Sequence, residues 1–317
     1  MQLKQLQHFL AVIDHLTISA AAKSQYVTQS ALSRSIMNLE EALNVKLLER
    51  GHYGITPTAY GEAFAQRARV IVNESNQALG ELDAMRSGSL GRVRLGLAGS
   101  VATESLAASL SALMARRPEL SLSLNVGFGE THLGMLERGE LDAIVTLRPR
   151  ETTDRHLTFE RVVDVLMPVI ARATHPLARL GKRVTADHLA KAQWVIYNQP
   201  RAEEFHRALM KRAAAGPNAL RVHCNTPTFI KYLILKGDYL ALLAQPVVAQ
   251  ELESGTLVRL ATEFKPVAIE LYIVTRTASA LPTGVRIALD IIRSHIIELM
   301  KGDSEPGTNS RKPRSSR

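Results

Sequence analysis

Leu32, Ile36, Leu39 and Leu43 recur at spacings of 4, 3 and 4, and the helical advance of about 100° per residue stacks them in one apolar stripe. Gln29, Ser30, Ser33, Arg34 and Met37 fall about 120° from that stripe. Four of these five donate hydrogen bonds, and Gln and Arg carry the forked geometry that matches adenine and guanine edges in a major groove. Thr28 stands where an N-cap belongs, which leaves the following amides free to hold a phosphate. Upstream, Leu3, Leu6, Phe9, Leu10 and Ile13 predict a preceding helix, and Ile18, Ala21 and Ala22 are small enough for a short second helix to cross the third closely. The pattern over residues 18–39 is that of a helix-turn-helix with a packed face and a separate polar face.

Residues 47–61 then place Gly51 and Gly54 on either side of a short hairpin, with Arg50, His52 and Tyr53 on or near it. A wing of this kind reaches the DNA backbone or minor groove beside a recognition helix. Thr56 followed by Pro57 reads as an N-cap and a first helical position, so a new helix is predicted from Pro57. Along it Phe64, Ala68, Ile71, Ser75, Ala78, Leu82 and Met85 recur at spacings of 4, 3, 4, 3, 4 and 3, a heptad seam suited to pairing with a second copy. A helix from Pro57 to Arg86 is about 45 Å long. The alternative to pairing is a single long helix lying on the adjacent domain.

After Ser87-Gly88-Ser89-Leu90-Gly91, a short hinge, strand and helix patterns alternate. Strands are predicted at 92–98, 120–126, 141–147, in VLMPVIA, and at 194–197, 220–224, 239–243 and 268–275, with helices between them and a last helix near 283–300. The alternation predicts an α/β architecture with largely parallel sheets. In open α/β sheets small ligands sit at the carboxyl ends of strands, where helix N-termini present free amides. Those positions are Ser100, Val101 and Thr103, residues 127–131, and Thr146 in the first part, then Tyr197, Asn198, Asn225 and Thr226 in the second, with Arg201 as added charge. Taken singly, each is more simply a loop cap; their convergence at one cleft is the hypothesis.

Several in-register features of residues 1–61 resemble the winged helix-turn-helix of LysR-type transcriptional regulators. They are Phe9, Ala21-Ala22, the run Thr28-Gln29-Ser30-Ala31-Leu32-Ser33-Arg34, Leu39-Glu40, and Ile55-Thr56 with Gly61. The chain departs from the family pattern at Asn44, where glycine is usual, at Gln25, where leucine is usual, and at Leu48, where phenylalanine is usual. Asn tolerates the left-handed backbone, so the turn at Asn44 is expected to survive. Beyond the hinge the resemblance is weaker per residue, and Ala244-Gln245-Pro246 departs from the usual Leu-Pro.

The resemblance implies a multidomain chain: an all-α winged helix-turn-helix with a long linker helix, then a two-lobed α/β effector domain like type II periplasmic binding proteins. The expected divisions are a DNA-binding domain at 1–60, a linker and dimerisation helix at 57–88, and an effector domain at 91–300. Its first lobe would comprise 91–163 and 268–300, its second 164–267, with a disordered tail at 301–317. The implied partners are double-stranded promoter DNA, a second copy or more in a homodimer or homotetramer, RNA polymerase, and a small effector. Gln66-Arg67-Ala68-Arg69 to Glu74, and Cys224 to Thr226, resemble relatives that answer to organic or aromatic acids.

Composition narrows the alternatives. The net charge of +9 over 317 residues invites a nucleic-acid reading, but residues 1–90 hold eight Lys/Arg against eight Asp/Glu. DNA affinity must therefore come from local placement and dimer avidity. The single cysteine, Cys224, excludes an intramolecular disulfide and a thiolate metal cluster. No catalytic motif stands out, GFGETH at 127–132 reads as a turn, and the ten histidines show no metal-like grouping. Each histidine reads as a surface or capping residue. Neither enzyme activity, a cofactor nor a metal is expected, and without a signal pattern or long apolar run the cytoplasm is the expected compartment. Two other readings stand beside the regulator: a stand-alone solute-binding protein of periplasmic type, and an α/β enzyme carrying a DNA-targeting module.

Overall fold

A computed structural model describes residues 1–51, 54–148, 156–212, 221–277 and 281–301. Helices α1 (Leu3–His15), α2 (Ile18–Ser24) and α3 (Gln29–Leu43) enclose a core in which Leu6, Phe9, Val12, Ala21, Leu32 and Leu39 are buried. The turn after α3 is made by Asn44 at φ 54°. A two-stranded wing follows, β1 (Leu48–Gly51) antiparallel to β2 (Gly54–Pro57). It is tied to the helices where the Ile55 amide donates to the Leu16 carbonyl at 2.9 Å. Gly54 has φ +123°, and a β-carbon there would lie 2.9 Å from that same carbonyl oxygen, so the tie requires glycine.

The long helix α4 (Ala59–Ser87) begins two residues later than the Thr56-Pro57 pattern predicts. Its N-cap is Thr58, whose hydroxyl accepts from the Gly61 amide at 3.0 Å and donates to the Lys46 carbonyl at 2.7 Å. Pro57 instead ends β2 opposite Leu48. A residue without an N–H suits the rim of a two-stranded ladder as well as a first helical turn. The heptad seam is also shorter than predicted. Phe64 tilts against Phe9 with ring centroids 5.6 Å apart, and Ala68 is fully buried, so both belong to the winged core. From Ile71 onward the seam faces solvent except at the half-buried Ser75, with Leu82 63% and Met85 80% exposed.

Gly88, at φ +69°, ends α4. The chain then runs through β3 (Gly91–Ala98), α5 (Glu104–Arg116), β4 (Leu120–Gly127), α6 (Gly129–Glu137), β5 (Ala143–Leu147) and β6 (Leu157–Met167). It passes to a second sheet with β7 (Val169–Arg172), α7 (Ala186–Lys191), β8 (Gln193–Tyr197), α8 (Pro200–Arg212), β9 (Arg221–Cys224), α9 (Pro227–Lys236), β10 (Tyr239–Leu242), α10 (Ala249–Glu253) and β11 (Leu257–Arg259). It returns with β12 (Val267–Arg276) and α11 (Thr283–Lys301). The strand orders are β4-β3-β5-β12-β6 and β11-β7-β10-β8-β9.

Both sheets are mixed, which corrects the largely parallel expectation. β3 pairs in parallel with β4 and β5, and β8 with β9 and β10, whereas β12 runs antiparallel to β5 and β6, and β7 to β10 and β11. The antiparallel strands are those that carry the chain between lobes. They re-enter without a crossover helix, which removes the constraint to parallel pairing. VLMPVIA, read as one unit, is divided: Met167 pairs with Val267 in the first sheet and Val169 with Leu242 in the second. Pro168, unable to donate to a ladder, stands at the division.

The middle of α4 rests on the first lobe. Asn73 Nδ2 donates to the Arg138 carbonyl at 2.6 Å, and the Arg276 guanidinium donates to Glu74 Oε1 at 2.6 Å and to the Leu136 and Leu141 carbonyls at 3.0 and 2.9 Å. Among the described residues no helix is long and apolar enough to cross a membrane.

Candidate DNA-reading face and effector cleft

The start of α3 is shaped by Thr28, whose hydroxyl accepts from the Ala31 amide at 3.2 Å and lies 3.1 Å from Ser30 Oγ. Gln29, Ser30 and Arg34 are exposed, Ser33 is half-buried, and Leu32, Ile36 and Leu39 are turned into the core. Gln29 Nε2 donates to Ser19 Oγ at 3.3 Å, which holds its side chain against α2. Arg34 has no hydrogen-bond or ion-pair partner among the described residues, so its guanidinium is available to a ligand. Arg50 lies in β1 opposite Ile55, with its side chain outside the described part. His52 and Tyr53 lie outside the described residues altogether.

Two groups that sequence reasoning missed hold this face in place. Glu40 is only 7% exposed. Its Oε1 accepts from the Leu47 and Leu48 amides at 2.8 and 3.1 Å, and its Oε2 from Lys46 at 2.9 Å, which fastens the wing to the recognition helix. Burial pushes its carboxyl up, but the bonds from Lys46, Leu47 and Leu48 outweigh this and hold it below the ordinary value. The signal was the Leu39-Glu40 pair itself: a carboxylate beside a core leucine needs amide donors when it is buried. His8 is the second. It is buried on α1 and its Nδ1 lies 2.8 Å from Ser35 Oγ, bracing α3; burial, then nearby Lys4, lowers its pKa.

In the effector domain the first-lobe candidates Ser100, Val101 and Thr103 share one cavity, which none of Tyr197, Asn198, Asn225 and Thr226 lines, and several candidates serve their own backbone. A β-carbon on Gly99 would lie 3.0 Å from Pro227 Cδ, so the loop after β3 touches the start of α9. Ser100, Val101 and Thr103 line a cavity of about 20 Å³ that Pro246 of the second lobe also walls. The Ser100 hydroxyl is buried and has no hydrogen-bond partner among the described residues. Thr103 caps α5, accepting from the Leu106 amide at 3.3 Å. Thr146 is buried, donates to the Leu147 carbonyl at 3.1 Å, and lies so close beneath Gly129 that a β-carbon there would approach its hydroxyl to 2.5 Å.

Across the cleft Tyr197 is buried, and burial followed by the neighbouring Cys224 pushes its phenol up to about 12, so it is a neutral donor at physiological pH. Asn198, Asn225 and Thr226 are exposed; the Asn198 amide donates to the Cys224 carbonyl at 3.0 Å, and Thr226 Oγ1 donates to Asn225 Oδ1 at 3.1 Å. The Arg201 side chain lies outside the described part. Larger cavities, each of about 430 Å³, open at the lobe crossing near Phe205 and Phe264 and between α10 and α11, and none of the predicted residues lines either.

The histidines correct another expectation. His8, His132 and His206 are buried rather than superficial, whereas His175 is buried but caps its turn, its Nδ1 accepting from the Leu177 amide at 3.0 Å. His132 is fully enclosed where glycines leave space on the first sheet: β-carbons on Gly96 and Gly127 would lie 2.9 and 3.3 Å from its ring. Its Nε2 meets Asn125 Oδ1 at 2.9 Å, and burial lowers its pKa.

Comparison with known proteins accounts for both halves. A model described as bacterial regulatory helix-turn-helix protein, lysR family, matches residues 3–62, and one described as LysR substrate binding domain matches residues 86–296. The chain is 25% identical to the HTH-type transcriptional regulator PcaQ of Agrobacterium fabrum over 95% of its own length and 97% of the relative's. Its fold resembles that of full-length CbnR in complex with target DNA, with a TM-score of 0.63 at 22% identity, covering 94% of this chain and 99% of that one. It also resembles LysG of Corynebacterium glutamicum with bound effector Arg, with a TM-score of 0.64 at 20% identity and the same coverage. With family models spanning both the winged helices and the two-lobed domain, the chain belongs to the LysR family of DNA-binding transcriptional regulators with a substrate-binding domain.

Proposed function

We propose that the chain reads promoter DNA as a homodimer or homotetramer through Gln29, Ser30, Ser33 and Arg34, with Thr28 presenting the first amides of α3 to a phosphate. The two-lobed domain adjusts that contact when a small organic or aromatic acid enters the cleft. The observation that carries this reading is the exposed Arg34, without a partner among the described residues, on a helix whose opposite face is buried, beside a wing fastened by Glu40. A neutral domain binds DNA tightly only when two copies are tethered, because the second contact then forms at high local concentration. Ile71, Ser75, Ala78, Leu82 and Met85 form the pairing stripe, since they lie beyond the part of α4 that the winged core absorbs.

In the cleft Ser100, Val101, Thr103, Tyr197, Asn198, Asn225 and Thr226 surround the ligand, and Thr146 supports the loop above it. The buried hydroxyl of Ser100 and the neutral phenol of Tyr197 suit a carboxylate's acceptor oxygens. The bound effector Arg of LysG supports a small polar ligand, and the DNA complex of CbnR supports the DNA reading. Such a role at promoters calls for the cytoplasm, needs no catalysis, and gives RNA polymerase a reason to contact the protein.

Equilibrium sedimentation and footprinting of the full chain test the reading together. The pair Leu82→Glu with Met85→Glu is expected to yield monomers whose affinity for the selected site is at least about a hundredfold weaker. Dimers that persist in this variant, with footprints unchanged, would remove α4 as the pairing element.

A further inference from the structure

Tyr26 is 96% exposed, more than any other large apolar side chain among the described residues. It also has φ +55°, a left-handed backbone that crowds the β-carbon of any residue but glycine. The turn imposes this conformation. The Val27 amide donates to the Ala22 carbonyl at 3.0 Å and the Tyr26 amide to the Lys23 carbonyl at 3.3 Å, a paired closure of α2 in which the residue between is left-handed and normally glycine. The side chain does nothing to offset the strain, since it makes no hydrogen bond or ring contact with the described residues. A position where glycine is favoured by the backbone, and where the ring has no hydrogen-bond or aromatic partner among the described residues, therefore holds a tyrosine.

Its surroundings show what the ring serves. Tyr26 stands two residues before the Thr28 cap and three after the exposed Lys23, in the turn that leads to Gln29, which leans on Ser19. That is the rim of the polar face at the N-terminal end of α3, the end at which a recognition helix meets the duplex. We propose that Tyr26 is a DNA contact, its ring packed on a deoxyribose and its phenol donating a hydrogen bond to a phosphate oxygen. The inference rests on the recognition-face reading above and extends it to a residue outside α3. A tyrosine loses few rotatable bonds when it packs, which suits a fixed contact at the edge of an interface.

The test uses the full chain and a labelled duplex enriched from a random library by the unaltered protein. Tyr26→Gly is expected to raise the thermal midpoint by about 2–5 °C, because the strain is relieved, and to weaken binding about tenfold. These opposite signs separate a DNA contact from a folding role. Tyr26→Phe is expected to keep the ring contribution, losing roughly threefold, with the salt dependence unchanged because a neutral phenol displaces no counterion. Tyr26→Gly binding within twofold of the unaltered chain, while Arg34→Ala loses affinity, would overturn the proposal alone. So would a fall in midpoint and affinity together. If Arg34→Ala also binds normally, the recognition face itself is wrong and Tyr26 falls with it.

Discussion

Thr28 and Thr103 begin helices in the same way. Each hydroxyl accepts from the amide three residues on, at 3.2 and 3.3 Å, and each lies 3.1 Å from the serine two residues on, Ser30 and Ser105. What differs is the surroundings. The start of α3 is open to solvent and carries Gln29 and Arg34, so it suits a partner as large as a duplex. The start of α5 is half-buried beside Pro246 of the second lobe, Ser105 is engaged by His295 Nε2 at 3.2 Å, and the cavity there, about 20 Å³, has room for little more than a water. Identical capping chemistry thus stands in two unlike settings, one open to solvent and one packed between lobes.

The largest effect that tests this contrast is expected from Arg34→Ala. It should weaken binding to the selected duplex by roughly 10- to 100-fold, the scale of a lost bidentate base contact, and leave the thermal midpoint unchanged; a shifted midpoint would assign Arg34 to the fold instead. Glu40→Gln comes next. Removing the charge from a buried acceptor of three hydrogen bonds should destabilise the winged domain by about 2 kcal/mol, seen in urea unfolding, while the effector domain unfolds as before.

Thr28→Ala and Thr103→Ala sharpen the comparison most directly. Each should lower stability by about 1 kcal/mol, but the first should also reduce DNA affinity and the second the response to ligand. Loss of both functions in one variant would dissolve the distinction. The smallest effect is in pH. Burial lowers the pKa of His8 in the first domain and His132 in the second below the ordinary histidine value. The unfolded chain therefore binds protons first on acidification. Stability should be full above the ordinary histidine range, fall as pH drops through it, and level off below the folded-state values. His132→Gln should flatten that fall in the effector domain's thermal midpoint between about pH 7 and pH 5.

The recognition helix was legible because stripe, cap and polar face all depend on residues within one turn of each other. Asn44 likewise took the left-handed conformation that its side chain tolerates. Strand positions could be read from apolar runs, but not their directions, since a period of two says nothing about the neighbour across a ladder. Both sheets accordingly mix parallel and antiparallel pairs. Glu40 and His132 escaped for a related reason: their partners are backbone amides and glycine gaps from other segments. The glycine at 96 inside a strand was a readable sign of a close approach. The approach of Gly129 to Thr146 was visible only in three dimensions.

Arg276 gives the long helix a mechanical meaning. Its guanidinium grips Glu74 near the midpoint of α4 while its other bonds anchor it to the Leu136 and Leu141 carbonyls of the first lobe. A rod held at its middle behaves as a lever with the lobe as its handle. With about 22 Å of helix on the winged side of the grip, a 10° tilt would swing the attached domain by roughly 4 Å. That is close to the rise of a single base pair, about 3.4 Å. A small rocking of the lobe would therefore suffice to move one reading head out of step with its twin on a shared duplex.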